Sequence, residues 1–262
     1  MPRFKLLIEY AGTRYSGWQI QKNARTVAGE IDRAIREVAR RNEFELYGAG
    51  RTDAGVHALG QVAHLELYTN LPAATLRARI NDTLPSDIYI RSIETAPHRF
   101  HARHDARQRS YVYQISRRKT AFLKPYVWWI KEPLDAAKMR EAAAAFVGMR
   151  NFASFTADEP DEKSTKVLID RLDIAEAGDL LLIRFAGSHF LWRMVRRIVG
   201  VLAAVGTGEL TVDRAARFLD ERSEIPATLT APSSGLFLEG VYYGRDEGPG
   251  PLAAVPGVPR TG

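Results

Sequence analysis

Apolar spacing in this chain alternates between a period of two and a period near 3.6 in a repeating order, and that order constrains the fold more than any other feature. Residues 4–10 (FKLLIEY) read as a strand ended by Gly12. Val27, Ile31, Ile35 and Val38 then recur at helical spacing from Thr26 to about residue 41. A short strand follows at 44–47 (FELY), a third from Gln61 to Leu67, a helix carrying Leu76 and Ile80, and a fourth strand at 88–94 (IYIRSIE). The order β-α-β-β-α-β is the ferredoxin-like pattern.

The second half repeats it. Residues 109–116 (RSYVYQIS) alternate as a strand, and 135–147 form an alanine-rich helix ended by Gly148. Residues 167–175 and 179–186 pair as a hairpin around Ala177-Gly178. A long helix over about 189–205, a shorter one over 211–221 and a strand at 236–243 (LFLEGVYY) complete the unit. The expectation is an α+β fold of two ferredoxin-like halves, 1–106 and 107–245, alike in element order and not in residue identity. The end, 246–262 (DEGPGPLAAVPGVPRTG), is rich in Pro and Gly and is expected to be a disordered tail.

Composition narrows the function classes. At 262 residues and 45% apolar content the chain can bury sizeable cores and is not a disordered protein. It has no cysteine, which excludes disulfides and thiolate metal sites and fits a reducing compartment. A net charge of +6 and a pI of about 9.6 favour a polyanionic partner. The opening residues MPRFKLLIEY carry no signal-peptide pattern, and the most apolar helical stretch contains Arg193, Arg196 and Arg197, so it is not a membrane span. A cytoplasmic protein with no membrane partner is expected.

The stretch GAGRTDAGVHALGQVAH (48–64) sets Arg51, Thr52 and Asp53 among glycines before a strand-like pattern. It is no Walker loop, which would need a lysine, and no dinucleotide fingerprint, which Asp53 would spoil by repelling a pyrophosphate. From the residues alone it is either a turn, with Asp53 bonding nearby backbone N–H groups, or a catalytic loop. Basic residues are dense over 99–119: Arg99, Arg103, Arg107, Arg109, Arg117, Arg118 and Lys119, with Asp105 the one acid among them. With the interleaved aromatics, the run fits either a phosphate-tracking surface or a solvated basic face. His98, His101 and His104 stand at three-residue steps, but the neighbouring arginines would repel a cation, so no metal site is expected. His57 and His64 read as packing residues.

GRTDAGVHALGQVAH (50–64) resembles the active-site motif of the TruA family of tRNA pseudouridine synthases. IEYAGTRYSGWQIQ (8–21), FHAR (100–103), RSYVY (109–113), NFASF (151–155), MVRRIVGVLAAVG (194–206) and GLFL (235–238) are similar to further blocks of that family, in the same order. The chain departs from the family at Trp192-Arg193, where histidines are usual, and at Met149-Arg150, where an acid and a histidine are common.

The resemblance implies two related halves joined into an extended antiparallel sheet around a central basic cleft. It implies an isomerase that converts uridines at positions 38–40 of the tRNA anticodon stem-loop to pseudouridine, as a homodimer and with no cofactor. Asp53 would be the catalyst, as a nucleophile or by assisting departure and deprotonation at the sugar. Arg196 would keep its carboxylate ionised, because a nearby cation opposes the effect of burial. Arg51 would fill the stack left by an extruded base, or contact a phosphate. Tyr111 would pack against the target uracil, and Leu236 would wall the pocket. A second reading remains: tandem ferredoxin-like units with aromatic strands also build RNA-binding modules, although the Gly-Phe-Gly-Phe type of signature is missing.

Overall fold

The computed structural model describes residues 1–40, 43–158 and 164–255. In chain order its elements are β1 (Arg3–Tyr10), α1 (Val27–Ala39), β2 (Glu45–Gly48), β3 (His57–Glu66), α2 (Ala73–Thr83), β4 (Ile88–Ala96), β5 (Ala106–Ser116), β6 (Trp128–Trp129), α3 (Ala136–Ala144), β7 (Gly148–Asn151), β8 (Lys166–Ala177), β9 (Leu180–Gly187), α4 (Met194–Thr207), α5 (Val212–Arg217), α6 (Ile225–Thr228) and β10 (Leu236–Tyr243). The chain divides into two compact units. One holds Met1–Arg107 and Phe237–Glu247, the other Gln108–Leu236 and the residues from Gly248 on.

In the first unit β1 lies antiparallel between β3 and β4. The other edge of β3 is shared: Leu65 and Ala63 face Leu46 and Gly48 of β2, while His57 and Ala58 run parallel to Phe237 and Leu238 of β10. The period-two pattern of β1 is realised as strict alternation, with Phe4, Leu6, Ile8 and Tyr10 buried. Helix α1 begins because Thr26 is extended and its hydroxyl accepts from the Gly29 N–H; it ends where Arg40 turns left-handed at φ 50°. Its apolar stripe, Val27, Ile31 and Ile35, is fully buried. Each such side chain contributes about 1.5–3 kcal/mol relative to exposure.

The second unit carries the antiparallel order β5-β9-β8-β7, with the two-residue β6 parallel to the other edge of β5. The hairpin expected around Ala177-Gly178 forms, Gly178 taking φ 60°. The apolar stretch of α4 is buried along almost its whole length, and α4 packs with α3, α5 and α6.

Several expectations need correction. The long helix begins at Met194 and not near residue 189, because Arg193 takes a left-handed φ of 61° and keeps residues 188–193 out of the helix. The shorter helix stops at Arg217, not near 221, and β3 starts at His57, ahead of Gln61. Strand β10, apart from Leu236, lies outside the half to which its position assigned it, since residues 237–243 belong to the first unit, where Phe237 and Leu238 pair with β3. The stretch 248–255 is not a loose tail. Arg184, 1% exposed on β9, donates to the carbonyls of Gly250 (2.7 Å) and Pro251 (3.1 Å), and Val255 N–H donates to Gln114 Oε1 (2.9 Å). Leu252 and Ala254 pack on Leu123, Val127, Leu180 and Leu182. A buried guanidinium needs acceptors, and these carbonyls supply two of them. Residue 41, where α1 was expected to end, and the last part of the tail, 256–262, lie outside the described residues.

Candidate active site

The loop between β2 and β3 is held by the segment that follows β1, by Tyr10 at the end of β1 and by β3 itself. Trp18 N–H donates to the Thr52 carbonyl (3.1 Å), Gly55 N–H to the Tyr15 carbonyl (3.2 Å), and Val56 N–H closes the turn on the Asp53 carbonyl (3.2 Å). The Thr52 and Tyr10 hydroxyls share a hydrogen bond of 2.8 Å. Gln61 Nε2 donates to the Gly50 carbonyl (3.0 Å), and Ala49 N–H to Val62 (2.7 Å). Thr52 is therefore buried, while Arg51 before it is exposed and Asp53 after it is half-buried. The central residue anchors, and the flanking cation and carboxylate are presented at the surface of the first unit.

This explains why the stretch at 8–21 accompanies the stretch at 50–64. Two glycines let the segments meet. At Gly12 an added Cβ would stand 1.9 Å from the Val56 carbonyl oxygen; at Gly17, with φ 91°, it would stand 2.5 Å from the Thr52 carbonyl oxygen. Gly12 N–H also donates to His57 Nδ1 (3.0 Å), and the His57 ring stacks on Phe237 at 4.7 Å. At 1% exposure His57 is a packing residue, as its sequence context suggested. Tyr15 reinforces the cradle: its hydroxyl donates to Asp87, and burial with this carboxylate pushes the phenol above its ordinary range. Tyr10, Tyr15 and Trp18 are the site-supporting residues that spacing did not single out. The available signal was the run of glycines and aromatics within 8–21.

The other candidates belong to the second unit. Tyr111 and Tyr113 lie on one face of β5, as period two requires. Tyr113 is wholly buried, its hydroxyl on the Pro232 carbonyl (2.8 Å), whereas Tyr111 keeps partial exposure. The Tyr111 ring takes Phe190 edge-on, with centroids 5.2 Å apart and planes at 82°. Arg196, in the first turns of α4, is half-buried, so it is not a freely solvated helix arginine. Its Nε donates to the Ala231 carbonyl (2.7 Å), and Ala231 N–H donates back to the Arg196 carbonyl (3.1 Å). Arg197 beside it turns to the Ser154 and Thr156 carbonyls, and burial lowers its pKa. Leu236 is 5% exposed at the start of β10. The structure thus brings Arg51 and Asp53 together on one loop, and places Tyr111, Arg196 and Leu236 in the other unit, on β5, on α4 and at the first residue of β10.

The basic run is only partly available. Arg99, Arg103 and Arg107 are exposed, but Arg117 pairs with Glu176 (2.7 Å) and Arg118 with Asp179 (2.8 Å), and Arg109 donates to the Ser188 carbonyl (2.8 Å). His101 Nδ1 accepts from the N–H groups of Arg103 and His104 (both 3.2 Å), and His64 Nδ1 accepts from Ala102 (3.2 Å). These ring nitrogens cap backbone. Among the described residues no group of His, Asp and Glu is arranged to hold a metal, and no helix is long and apolar enough to cross a membrane.

A family model described as tRNA pseudouridine synthase matches residues 6–105 and 142–244. The tRNA pseudouridine synthase A of Pseudothermotoga lettingae is 37% identical over 246 residues, covering 93% of this chain and 100% of that protein. The protein of the same name from Paramagnetospirillum magneticum is 38% identical, covering 95% and 98%, and that from Brucella ovis 39%, covering 93% and 98%. Among solved structures, a Cbf5-Nop10-Gar1 complex aligns over 76% of this chain and 45% of that one, at 12% identity and a TM-score of 0.36, too distant to inform the site.

Proposed function

Since the chain belongs to the family of tRNA pseudouridine synthases, isomerases that act on uridines of tRNA, we propose that Asp53 is its catalyst and that its targets are uridines 38–40 of the anticodon stem-loop. The reaction breaks the bond from the sugar to uracil nitrogen, turns the base and joins the same sugar carbon to a ring carbon, whose proton is lost as the ring nitrogen regains one. Nothing is oxidised and no atom is gained overall, so a positioned carboxylate suffices and no cofactor is required.

The observation that carries this reading is the buried Thr52 anchor. A solvated turn has no reason to pin its middle residue to Tyr10 and Trp18 while holding a carboxylate half-buried next to it. Arg51, exposed one residue before the anchor, is proposed to occupy the stack that the extruded base leaves. Tyr111, with its ring orientation set by Phe190, is proposed to pack on the uracil, at about 1–3 kcal/mol for such a contact. Arg196 is proposed to favour the ionised form of the Asp53 carboxylate, and Leu236 to wall the base pocket. A cytoplasmic homodimer is part of the same proposal.

The deciding experiment is Asp53→Asn, nearly isosteric and unable to ionise. Purified protein is incubated with unmodified tRNA, without added metal or cofactor, and pseudouridine is mapped chemically. Wild type should give a signal in the anticodon arm and the variant none, with unchanged melting temperature and tRNA affinity. Near-wild-type turnover by the variant would remove Asp53 from the mechanism. Tight, salt-sensitive tRNA binding by a wild type that forms no pseudouridine would favour the binding-module reading.

A further inference from the structure

The segment from Arg117 to Glu132 lies between the two stretches matched by the family model and holds five cations and one acid, Glu132. Its backbone is anchored. Leu123 and Val127 are buried with Leu180 and Leu182, under Leu252 and Ala254. The turn between them is closed by Tyr126 N–H on the Leu123 carbonyl (2.8 Å), and Ile130 N–H is bound to the Ser116 carbonyl (3.1 Å). These anchors decide what faces out. Phe122 and Lys124 flank buried Leu123, and Trp129 and Lys131 flank buried Ile130. Phe122 is 89% exposed, the most exposed large apolar residue among those described, and Trp129 is 40% exposed. Neither ring is needed to fill the core, and exposure of two large rings beside cations calls for a partner.

The cations divide into two groups. Arg117 and Arg118 are held by Glu176 and Asp179. Lys119, Lys124 and Lys131 are exposed and enter no ion pair among the described residues; Lys119 Nζ lies 5.5 Å from the centre of the Trp129 ring. Exposed rings next to lysines without acidic partners match the chemistry of unpaired nucleotides, whose bases stack and whose phosphates attract ammonium groups. A duplex offers phosphates but keeps its base faces covered.

We propose that Lys119, Phe122, Lys124, Trp129 and Lys131 form a second RNA-binding surface, made of residues other than the Asp53 loop, which takes unpaired nucleotides of the tRNA substrate. The proposal rests on the tRNA reading above. In it, Phe122 and Trp129 stack on bases and the three lysines hold phosphates.

The test uses the full-length protein carrying Phe122→Ser with Trp129→Ser, and separately Lys119→Gln with Lys124→Gln and Lys131→Gln. Phe122 and the three lysines project into solvent and Trp129 is partly covered, so melting temperatures should fall by a few degrees at most, and kept duplex affinity checks that the fold is intact. Affinity for unmodified tRNA, for a short single-stranded RNA and for an RNA duplex is measured by anisotropy over a salt series, beside pseudouridine formation. The aromatic variant should bind tRNA and single strand about tenfold or more weakly while its duplex affinity is kept. The loss should fall on KM and not on kcat. The lysine variant should lower the salt slope by about one for each phosphate contact removed. Wild-type affinity and slope in both variants, with an active wild type, would overturn this surface and leave the tRNA reading standing. A wild type that binds no tRNA would overturn both. Loss of binding to phosphatidylglycerol vesicles with tRNA binding intact would replace RNA by an anionic membrane and also overturn it.

Discussion

Gly12→Ala tests whether the position of the Asp53 loop sets the reaction rate. The added Cβ would stand 1.9 Å from the Val56 carbonyl oxygen and 2.6 Å from its carbon, where real Cβ atoms essentially never approach below 3.0 Å. The carbonyl must therefore retreat by about 1.1 Å or more, and both partners are backbone, so no rotamer relieves the contact. Val56 is bonded to the Asp53 carbonyl, and Gly12 N–H to His57, so the displacement is passed to the turn that carries the carboxylate. Overpacking of this kind costs about 1–3 kcal/mol in stability. A displacement near 1 Å at a reacting group costs on the order of 100-fold in rate.

Single-turnover pseudouridine formation at saturating tRNA and a thermal melt should be measured together. The expected result is a rate lower by about two orders of magnitude with a melting temperature lower by a few degrees. Gly50→Ala is the control, because its Cβ would meet nothing within 4 Å, and its melting temperature should not fall. A Gly12→Ala enzyme that melts earlier yet turns over at the wild-type rate would refute the claim that cradle packing governs the chemistry.

Three further outcomes are expected. Ending the chain after Glu247 removes two acceptors from buried Arg184 and uncovers Leu123, Val127, Leu180 and Leu182, which should cost the second unit about 3 kcal/mol or more; an unchanged urea midpoint would refute it. His64 is 1% exposed, and burial, with His101 and Arg3 adding to it, lowers its pKa from 6.5 to about 4. The unfolded chain therefore binds the proton first, so His64 contributes a stability term that is full above about pH 6.5 and is lost as pH falls through about 4, up to about 3 kcal/mol. His64→Gln should flatten that acid slope in urea titrations, and an unchanged slope would exclude His64 as its source. Arg196→Met should abolish most activity and lower stability by about 1–2 kcal/mol through the lost bond to Ala231, whereas Arg193→Met, at an exposed position, should change stability little; equal melting temperatures for the two would show that the Ala231 bond is dispensable.

Local periodicity was enough to read β1, β4, α1 and α2, whose buried residues recur at the period of the element, whereas β5 and the β8–β9 hairpin were legible as β-branched and aromatic runs although β9 is buried on both faces. The candidate loop was legible as a motif: Arg51, Thr52 and Asp53 are adjacent, and an arginine beside a carboxylate among glycines is visible without any contact. What spacing could not show is which of the three is buried. Thr52 is the anchor only because Tyr10 and Trp18, brought in by the pairing of β1 with β3, reach it. The same limit explains the terminal segment. Pro and Gly in 248–255 signal an irregular chain, and the chain is irregular there, yet it is ordered by acceptors for a guanidinium on β9 more than sixty residues away in sequence. Strand β10 was legible as a strand, but its partner was not, since pairing with His57 and Ala58 depends on register across the whole chain. Spacing and composition thus settled the longer elements, the basic charge and the presence of a cation and a carboxylate on one loop, while the short β6, β7 and α6 carry too few residues to show a period. Tertiary structure alone decided which side chains anchor and which face outward, because burial is a property of what arrives from elsewhere in the chain.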